Sequence, residues 1–314
     1  MFHAQDPLTA NALATLAAEG RIAGFARTVH HLDDHADPRL AALQDRGVRD
    51  AAALCCVSGL WRRTLRARYG RDAVPVGNGV DGARFSSGPR GMAERDLRAR
   101  LGIPPDGRLV LALGGVEARK NTLGLLHGFA LLRRRVPDVR LLVAGGATLL
   151  DHAAYRRSFD AGLAAHGIGD AVHLAGVVAD ADMPALYAMA DVFACVSLNE
   201  GFGLCVIEAL AAGRPVVVSG IEPFTEHLGR DDVLWADPVD PGSVASALAE
   251  GLLPGARGRF AALGPTLAAG FGWDRVAAAH GPVHASLARA AERFRPGAAG
   301  TWADGPARTE MSDA

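Results

Sequence analysis

The chain has 314 residues, of which 49% are hydrophobic and 21% charged, and its 33 basic and 34 acidic side chains leave a net charge of −1. No segment approaches the roughly 18 uninterrupted apolar residues that a membrane-spanning helix needs. Near-neutral charge argues against a general nucleic-acid binder, which usually carries an excess of Lys and Arg. The start MFHAQDPL lacks the charged and then apolar layout of a signal peptide, so we expect a cytoplasmic protein with room for two domains.

The first third of the chain predicts a small α/β domain over residues 1–106. Its strand candidates are FARTVHH (25–31), ALCCVS (53–58) and AVPVGN (73–78), and helix-like segments join them. A doubly wound half usually has five or six strands, so we expect an incomplete domain with an uncovered sheet edge. The Gly- and Pro-bearing stretch FSSGPRGMAERDLRARLGIPPDG is expected to connect this domain to the next.

From Arg108 onward, short apolar runs alternate with helical patterns, which predicts a doubly wound parallel sheet over residues 107–271. The runs are RLVLALGG, VRLLVAGG, DVFACVS, PVVVSG and DVLWAD, and such continuous runs are typical of strands buried on both faces. The pattern of residues 272–295 predicts one interrupted helix that packs back toward the N-terminal domain. Its sequence is WDRVAAAHGPVHASLARAAERF. Residues 296–314 have no periodicity and predict a disordered tail.

Four cysteines occur, and their positions do not suggest a metal or disulfide framework. They are Cys55, Cys56, Cys195 and Cys205, and they show neither a C-x-x-C pattern nor a Cys/His spacing typical of zinc. We therefore expect no structural metal and no disulfide scaffold.

The basic residues are uneven in type, since 32 of the 33 are Arg and the remaining one is Lys120. A lone lysine invites a functional explanation, because a compact ammonium meets a phosphate as a point charge where a guanidinium needs more room. Chance retention on the surface is the alternative. Lys120 follows a predicted strand and, with Arg119, precedes a helix that Asn121 or Thr122 could cap. The positive end of that helix would favour a diphosphate.

A second turn, in SLNEGFGLCVIEALAAG, also lies between a predicted strand and a helix. The helix is predicted to begin near Gly203, and the Gly-Phe-Gly before it has no capping side chain, which leaves its first N–H groups for an anion or sugar hydroxyls. Glu200 and Glu208 flank the turn and could face the same cleft. Because burying an unpaired carboxylate costs several kcal/mol, Glu208 needs a partner, either a ligand or, more simply, a nearby arginine.

Several motifs together resemble one known family. EGFGLCVIE resembles the E-x7-E signature of the retaining family 4 glycosyltransferases, GGVEARKN resembles their diphosphate-binding turn, and VGNGVD resembles their N-G-V-D element. VAGG, HLAG, ADVFACVS, PVVVSG followed by Glu226, and the late W-D-R fall in the family's order and spacing. The resemblance covers nearly all of residues 25–290. It implies an α/β protein of GT-B fold, with two doubly wound Rossmann-like domains of which the N-terminal one is incomplete.

The resemblance also implies an activity. The family transfers a hexose from a nucleotide diphosphate sugar to an acceptor hydroxyl with retention, by front-face attack within a short-lived ion pair, and without a metal or other cofactor. The expected partners are the donor and an unidentified hydroxyl acceptor, with no nucleic acid. Peripheral membrane contact and self-association through the incomplete N-terminal sheet stay open. The alternative is a non-catalytic nucleotide-sugar-binding remnant, because the donor motifs fit both.

Position within these motifs assigns a role to each site residue. Lys120 is expected at the donor's diphosphate, and Glu208 at its ribose hydroxyls. His30 is expected at the sugar–phosphate junction, with His31 as the alternative because adjacent strand residues point to opposite faces. The catalytic residues are thus expected to be His30, Lys120 and Glu200. The rest of the expected donor site consists of Gly115, Arg119, Gly201, Phe202, Gly203 and Leu204, with residues 172–178 at the nucleobase and no metal ligands.

Two departures from the family's pattern qualify these expectations. The family often carries an arginine a few residues before the lysine, where this chain has Gly114-Gly115, so Arg119 supplies the second positive charge or none exists. The chain also lacks the family's opening strand and glycine-rich loop, and HAQDPLTA (3–10) resembles an interior segment. We therefore expect a late start or a truncated form, which would affect the acceptor side.

Overall fold

The computed structural model describes residues 1–86, 91–146 and 153–294. They divide into two compact units: the first contains Met1–Val57, Trp61–Val76 and 278–294, and the second contains Ser58–Leu60 and Gly77–Ala277. Each unit has its own parallel sheet, which confirms the predicted α/β class. Among the described helices, none combines the length and the apolar character needed to cross a membrane. The predicted tail and residues 87–90 of the predicted connection lie outside the described residues.

The sheet of the first unit has four parallel strands in the order β1-β2-β3-β4. These strands are β1 His3–Ala4, β2 Ala26–Val29, β3 Ala53–Cys56 and β4 Val74–Pro75. The expectation of three strands is therefore wrong, because β1 was missed. A strand of two residues is too short to show an alternating pattern, and only its pairing of His3 with Ala26 and of Ala4 with Arg27 defines it.

Helices flank this sheet and begin where the sequence provides caps. They are α1 Pro7–Ala18, α2 Pro38–Arg49, α3 Gly59–Tyr69 and α13 Trp273–Arg293. Asp6 and Asp37 cap α1 and α2 by accepting hydrogen bonds from the backbone N–H groups of Thr9 and Arg39, each at 2.8 Å. The interruption predicted in the last helix is wrong, since α13 runs through Pro282 as one helix. Its C-terminal half packs on the sheet of the first unit.

The second unit has six parallel strands in the order β10-β9-β8-β5-β6-β7. They are β5 Leu109–Leu113, β6 Arg140–Ala144, β7 Val172–Gly176, β8 Val192–Cys195, β9 Val216–Ser219 and β10 Leu234–Ala236. Strands β8 and β9 are buried throughout, as a sheet covered on both faces requires. Five strands follow the predicted apolar runs, whereas the edge strand β7 was not predicted because its residues are only partly buried.

Helices on both sides complete a doubly wound unit. They are α4 Gly82–Phe85, α5 Met92–Arg100, α6 Thr122–Arg133, α7 Ala153–His166, α8 Met183–Met189, α9 Leu204–Ala211, α10 Phe224–His227, α11 Pro241–Gly251 and α12 Pro254–Ala269. The predicted boundary at residue 106 lies inside the long segment of this unit, Gly77–Ala277. The reason is that α4 and α5 contact α8. In this contact the Phe85 ring meets the Tyr187 ring edge-on, with 5.5 Å between their centroids.

Candidate functional site

Two turns follow the neighbouring strands β5 and β8 at the carboxyl edge of the six-stranded sheet. We call residues 114–121 the β5 turn and residues 196–203 the β8 turn. The strand order reverses between them, since β6 and β7 lie on one side of β5 while β8, β9 and β10 lie on the other. In open α/β sheets, ligands bind beyond the carboxyl ends of the strands at such a switch point. The two turns singled out from sequence therefore meet where a ligand is expected.

Glycines allow the β5 turn to fold tightly. Gly114 and Gly115 have φ angles of 111° and 71°, which residues with a side chain rarely adopt. A Cβ on Gly114 would lie 2.8 Å from Cε of Lys120, and a Cβ on Gly115 would lie 2.9 Å from the carbonyl oxygen of Gly146. Gly114 thus lets the lysine lie over the turn, and Gly115 lets the ends of β5 and β6 approach each other. A donor-binding role for Gly115 stays a prediction.

Hydrogen bonds connect the β5 and β8 turns directly. The Leu198 N–H donates to the Arg119 carbonyl at 2.9 Å. The Asn121 side-chain amide donates to the carbonyls of Val196 at 3.1 Å and Pro238 at 2.7 Å. These contacts hold the charged residues of both turns in one place.

The prediction that Asn121 or Thr122 caps α6 is wrong. Asn121 occupies the N-cap position with a left-handed backbone, but its side chain makes no capping hydrogen bond. The Thr122 hydroxyl donates to the Gly115 carbonyl at 2.8 Å, and the Leu123 N–H donates to the Tyr155 hydroxyl at 2.8 Å. The sequence predicted that Asn121 or Thr122 would cap the helix, whereas in the structure both side chains donate hydrogen bonds to backbone carbonyls outside α6.

Four charged groups cluster at the two turns. The Glu200 carboxylate, only 6% exposed, accepts hydrogen bonds from the Lys120 ammonium and, at 2.9 Å, from the Arg119 guanidinium. Arg119 also lies 3.3 Å from the Glu117 carboxylate, which is equally buried. The two buried carboxylates are thus matched by two cations, of which Arg119 keeps 43% of its side chain exposed. We call Glu117, Arg119, Lys120 and Glu200 the charged cluster.

Lys120 stays protonated despite its burial. Burial disfavours the charged ammonium, but the nearby Cys205, Glu200 and Cys195 outweigh it and raise the pKa of Lys120 above its usual value. The side chain is 15% exposed, so the charge faces a low-dielectric surrounding. A lysine in this state is a fixed positive charge for an anionic ligand.

The β8 turn leads into α9 without a capping side chain. Gly203 occupies the N-cap position with a φ of 91°, as predicted from the Gly-Phe-Gly sequence, and makes no side-chain cap. A Cβ there would lie 2.2 Å from Cε1 of Phe224. The Phe202 ring is buried against His227, with 4.6 Å between ring centroids. The Phe202 side chain is therefore packed inside the protein, so a contact of this turn with a ligand would come from the backbone.

Glu208, one turn into α9, has a partner that sequence did not suggest. Its carboxylate accepts a hydrogen bond from the Tyr187 hydroxyl on α8 at 2.6 Å. Burial raises the pKa of Glu208 above its usual value, while the hydrogen bond from Tyr187 and the charge of Arg84 oppose the rise. The simpler expectation, that an arginine pairs with Glu208, is wrong for this hydrogen bond. Arg84 acts on Glu208 only through its charge, which lowers the pKa of the carboxyl.

His30 belongs to the first unit, just beyond the end of β2. Its Nε2 lies 2.9 Å from Oε1 of Gln5, which follows β1. Burial, and then the charges of His31 and His280, lower the pKa of His30. The neighbouring His31 is more exposed and lies 3.4 Å from Asp33. The structure thus brings Arg119, Lys120 and Glu200 together in the second unit, whereas the catalytic role of His30 stays a prediction.

Three residues in or near the site escaped sequence reasoning. Glu117 stands two positions before Arg119, and that spacing could have suggested a charge pair. No sequence pattern pointed to Tyr187 or Phe224. Tyr187 meets Glu208, and Phe224 meets Gly203, only because separate helices pack together. Residues 172–178, predicted to meet a nucleobase, include the edge strand β7, and that role stays a prediction.

The sequence matches the family described as "Glycosyl transferases group 1" over residues 93–253, about half of the chain. D-inositol 3-phosphate glycosyltransferase from Salinispora arenicola is 32% identical over 282 residues, which are 81% of this chain and 62% of that protein. Phosphatidyl-myo-inositol mannosyltransferase from Mycobacterium tuberculosis is 35% identical over 230 residues, which are 70% of this chain and 56% of that protein. The chain spans about three fifths of the length of these relatives.

Solved structures confirm the predicted fold. Anabaena Alr3699/HepE in complex with UDP and glucose superposes with a TM-score of 0.78 at 18% identity, covering 91% of this chain and 77% of that one. Sucrose-phosphate synthase from Thermosynechococcus elongatus gives a TM-score of 0.73 at 21% identity, covering 92% and 73%. The chain therefore has the GT-B architecture of two Rossmann-like domains.

Proposed function

Because the chain belongs to the glycosyl transferases group 1 family, we propose that it transfers a hexose from a nucleotide diphosphate sugar to an acceptor hydroxyl. The observation that carries this proposal is the pairing of Lys120 and Arg119 with Glu200 at the switch point between β5 and β8. A diphosphate needs two or more positive groups, and the cluster holds two cations beside the uncapped start of α9.

The charged cluster is proposed to exchange partners when the donor binds. Without a ligand, the Glu200 carboxylate satisfies both cations. A diphosphate carries more negative charge than one carboxylate, so it would take over Lys120 and Arg119 and release Glu200. The released carboxylate is then free to accept hydrogen bonds from the hydroxyls of the transferred sugar. In the free protein, the pairing of Glu200 with the two cations explains how the buried charges are tolerated.

Catalysis is proposed to come mainly from positive charge at the leaving group. As the bond between the sugar C1 and the phosphate oxygen breaks, negative charge grows on the diphosphate. Lys120 and Arg119 are already in place to stabilise it, which lowers the barrier without reorganisation. We propose that these two cations make a divalent metal unnecessary. The acceptor oxygen bonds C1 on the face that the diphosphate leaves, its proton passes to the departing phosphate oxygen, and the anomeric configuration is retained.

The remaining residues are proposed to position the donor. Glu208, held by Tyr187, is placed by the motif at the ribose hydroxyls, which would replace solvent around its carboxylate. The N–H groups of Leu204 and Cys205, at the start of α9, come before the hydrogen bond that the Val206 N–H donates to the Gly203 carbonyl at 2.9 Å, and such N-terminal groups suit phosphate or sugar oxygens. His30, with its lowered pKa, is proposed to meet the sugar as a neutral imidazole.

Nucleotide binding and transfer on the full chain test the proposal. Thermal shift with UDP, GDP and ADP and with their glucose and mannose derivatives should show one base raising the melting temperature. The matching sugar nucleotide is then incubated with inositol phosphate and phosphatidylinositol as first acceptors, because two relatives are named for such substrates. We expect product with the donor's anomeric configuration by NMR, formed equally with and without added Mg²⁺ or Mn²⁺.

Several results would contradict parts of this proposal. A product of inverted configuration would rule out retention, and a requirement for added metal would rule out charge stabilisation by the cluster alone. Nucleotide binding without turnover of any donor, including its hydrolysis, would favour a binding protein over an enzyme. Arg156→Ala is the control variant, because this exposed arginine pairs only with surface Asp160 in the contacts described.

A further inference from the structure

Three histidines of the first unit form a compact group outside the charged cluster. The rings of His3, His280 and His284 contact one another, with centroid distances of 5.4 Å, 5.2 Å and 5.5 Å for the three pairs. Each ring is partly buried. A neutral imidazole offers one nitrogen lone pair and is the commonest metal ligand in proteins.

The sheet and the last helix bring this group together. His3 pairs with Ala26 across β1 and β2, and Thr28 pairs with Cys55 across β2 and β3. Residues 26 and 28 share one face because successive strand residues alternate, so His3, Thr28 and Cys55 point to the same side of the sheet. From α13, His280 and His284 are four residues apart and therefore face the sheet together.

The thiol of Cys55 completes a set of metal-type donors. Cys55 is fully buried, on the sheet face where it packs with Val283 and Leu287 of α13. One ligand atom from each of His3, Cys55 and His280 lies within 4.8 Å of the other two. We propose that these three residues bind a Zn²⁺ ion, which would tie β1 and β3 to α13.

The chemistry of the donors favours zinc over the hard divalent ions. A thiolate and two imidazoles are ligands that Zn²⁺ prefers, whereas Mg²⁺ and Ca²⁺ select oxygen ligands. Tetrahedral Zn²⁺ with bonds of about 2.0 to 2.3 Å places its ligand atoms roughly 3.4 to 3.7 Å apart. From separations of up to 4.8 Å, the donors therefore need to close by at most about 1.4 Å, within the reach of side-chain rotation. Binding exchanges the Cys55 S–H bond for an S–Zn bond and releases one proton.

Thr28 and His284 are positioning residues for this site. The two ring nitrogens of His3 have separate partners, with Nε2 2.8 Å from Oγ1 of Thr28 and Nδ1 2.9 Å from Nε2 of His284. A metal at either nitrogen replaces one of these contacts and keeps the other. The remaining contact fixes the tautomer and orientation of the ring, as partners of metal-bound histidines do.

Metal binding to the full chain is the direct test. The purified protein is stripped with a chelator and titrated with Zn²⁺ in competition with a chromophoric chelator, and bound zinc is counted by elemental analysis. We expect one high-affinity Zn²⁺ per chain and a melting temperature that rises with the Zn²⁺ concentration. Substitution by Co²⁺ should give intense tetrahedral d–d bands and a thiolate-to-cobalt charge-transfer band. The cobalt spectrum needs no variant, so it is independent of folding defects.

Variants identify the ligands. Cys55→Ser and His280→Ala should each weaken Zn²⁺ binding by at least about 100-fold. With the metal at Nε2 of His3, His284→Ala should weaken binding by about 10-fold through the remaining contact at Nδ1, and with the metal at Nδ1, Thr28→Val should do so. The matched control is His127→Ala, which removes one member of an exposed histidine pair in the second unit, where Nδ1 of His127 lies 2.8 Å from Nε2 of His166. This control should keep wild-type affinity.

Three results would overturn the proposal. They are a cobalt complex without the thiolate band, unchanged zinc affinity in Cys55→Ser, and loss of the bound zinc in His127→Ala. None of these readouts depends on sugar transfer, so the metal site and the proposed activity fail or stand separately.

Discussion

The charged cluster of the second unit and the histidine group of the first unit are built in opposite ways. The charged cluster takes its four residues from two turns at adjacent strands, and its buried carboxylates are matched by cations. The candidate metal ligands beside the histidine group, His3, Cys55 and His280, come from β1, β3 and α13, and they offer nitrogen and sulfur donor atoms. Burial, with the nearby His280 and His284, lowers the pKa of His3 to about 4. Burial is thus offset by opposite charge in the charged cluster, whereas at His3 it favours the neutral imidazole.

This difference teaches what each group can bind. A cluster that already holds paired charges can exchange an internal anion for an anionic ligand at little cost, because its cations are charged in both states. A set of nitrogen and sulfur donor atoms offers lone pairs and therefore suits a cation. The predictions below test each side of this comparison.

Removing the lysine should have the largest effect. Lys120→Ala is expected to lower kcat/KM for donor turnover by at least about 100-fold, since it deletes one charge that stabilises the leaving diphosphate. Lys120→Arg should also be impaired, because the guanidinium needs more room over Gly114. Steady-state kinetics beside the Arg156→Ala control measures both. Near-normal activity of Lys120→Arg would show that the lone lysine is accidental.

A methyl group in the β8 turn should disturb its structure. Gly203→Ala combines a positive φ with a Cβ that would overlap the Phe224 ring, so we expect a loss of about 2 to 3 kcal/mol in the free energy of unfolding. Gly167→Ala is the matched control, with a φ of 62° and no atom within 4 Å of the added Cβ. It should cost about 1 kcal/mol, measured by urea unfolding. Equal losses would mean that the Phe224 contact adjusts freely.

Glu208→Gln should affect binding more than chemistry. The ribose is remote from the bond that breaks, so its contacts act equally in the ground state and the transition state. We expect KM for the donor to rise about tenfold while kcat is mostly kept, a difference of about 1.4 kcal/mol. A fall in kcat at constant KM would show that Glu208 and Glu200 have exchanged roles.

Beside the histidine group, loss of the Thr28 hydroxyl, which hydrogen-bonds with His3 and with Cys55, should cost less. Thr28→Val removes the hydroxyl next to His3 Nε2 with little change of shape, and a net loss of about 1 kcal/mol is expected. Thermal unfolding of the chelator-treated protein measures it. An unchanged melting temperature would show that water replaces the hydroxyl.

The pH dependence of donor binding should be modest and traceable to Glu208. Burial raises the pKa of its carboxyl in the free protein, and ribose hydroxyls that donate to the carboxylate would lower that pKa in the complex. Affinity is therefore full above the free-state pKa and falls as the pH decreases through it. Calorimetry at several pH values should show this fall in the wild type and a flatter profile in Glu208→Gln. Identical profiles would assign the dependence to another group.

Local patterns predicted most of the strands and both turns. The apolar runs around β5, β6, β8, β9 and β10 located these strands because a strand buried on both faces has to be apolar throughout. Gly203 was placed correctly at the start of α9, since an uncapped Gly-Phe-Gly turn is a property of adjacent residues. The short β1 escaped because two residues carry no period, and β7 escaped because an edge strand is only partly buried.

The sequence by itself determined the α/β class, the order of the elements and the presence of Lys120, Glu200 and Glu208 at strand-to-helix turns. These are local properties, set by side-chain periodicity and by backbone freedom at glycine. The tertiary structure alone decided which residues meet: Glu200 with Lys120, Tyr187 with Glu208, and His3 with Cys55 and His280. Such contacts depend on which strands become neighbours and which helix face packs on them, and neither is encoded in the spacing of the residues along the chain.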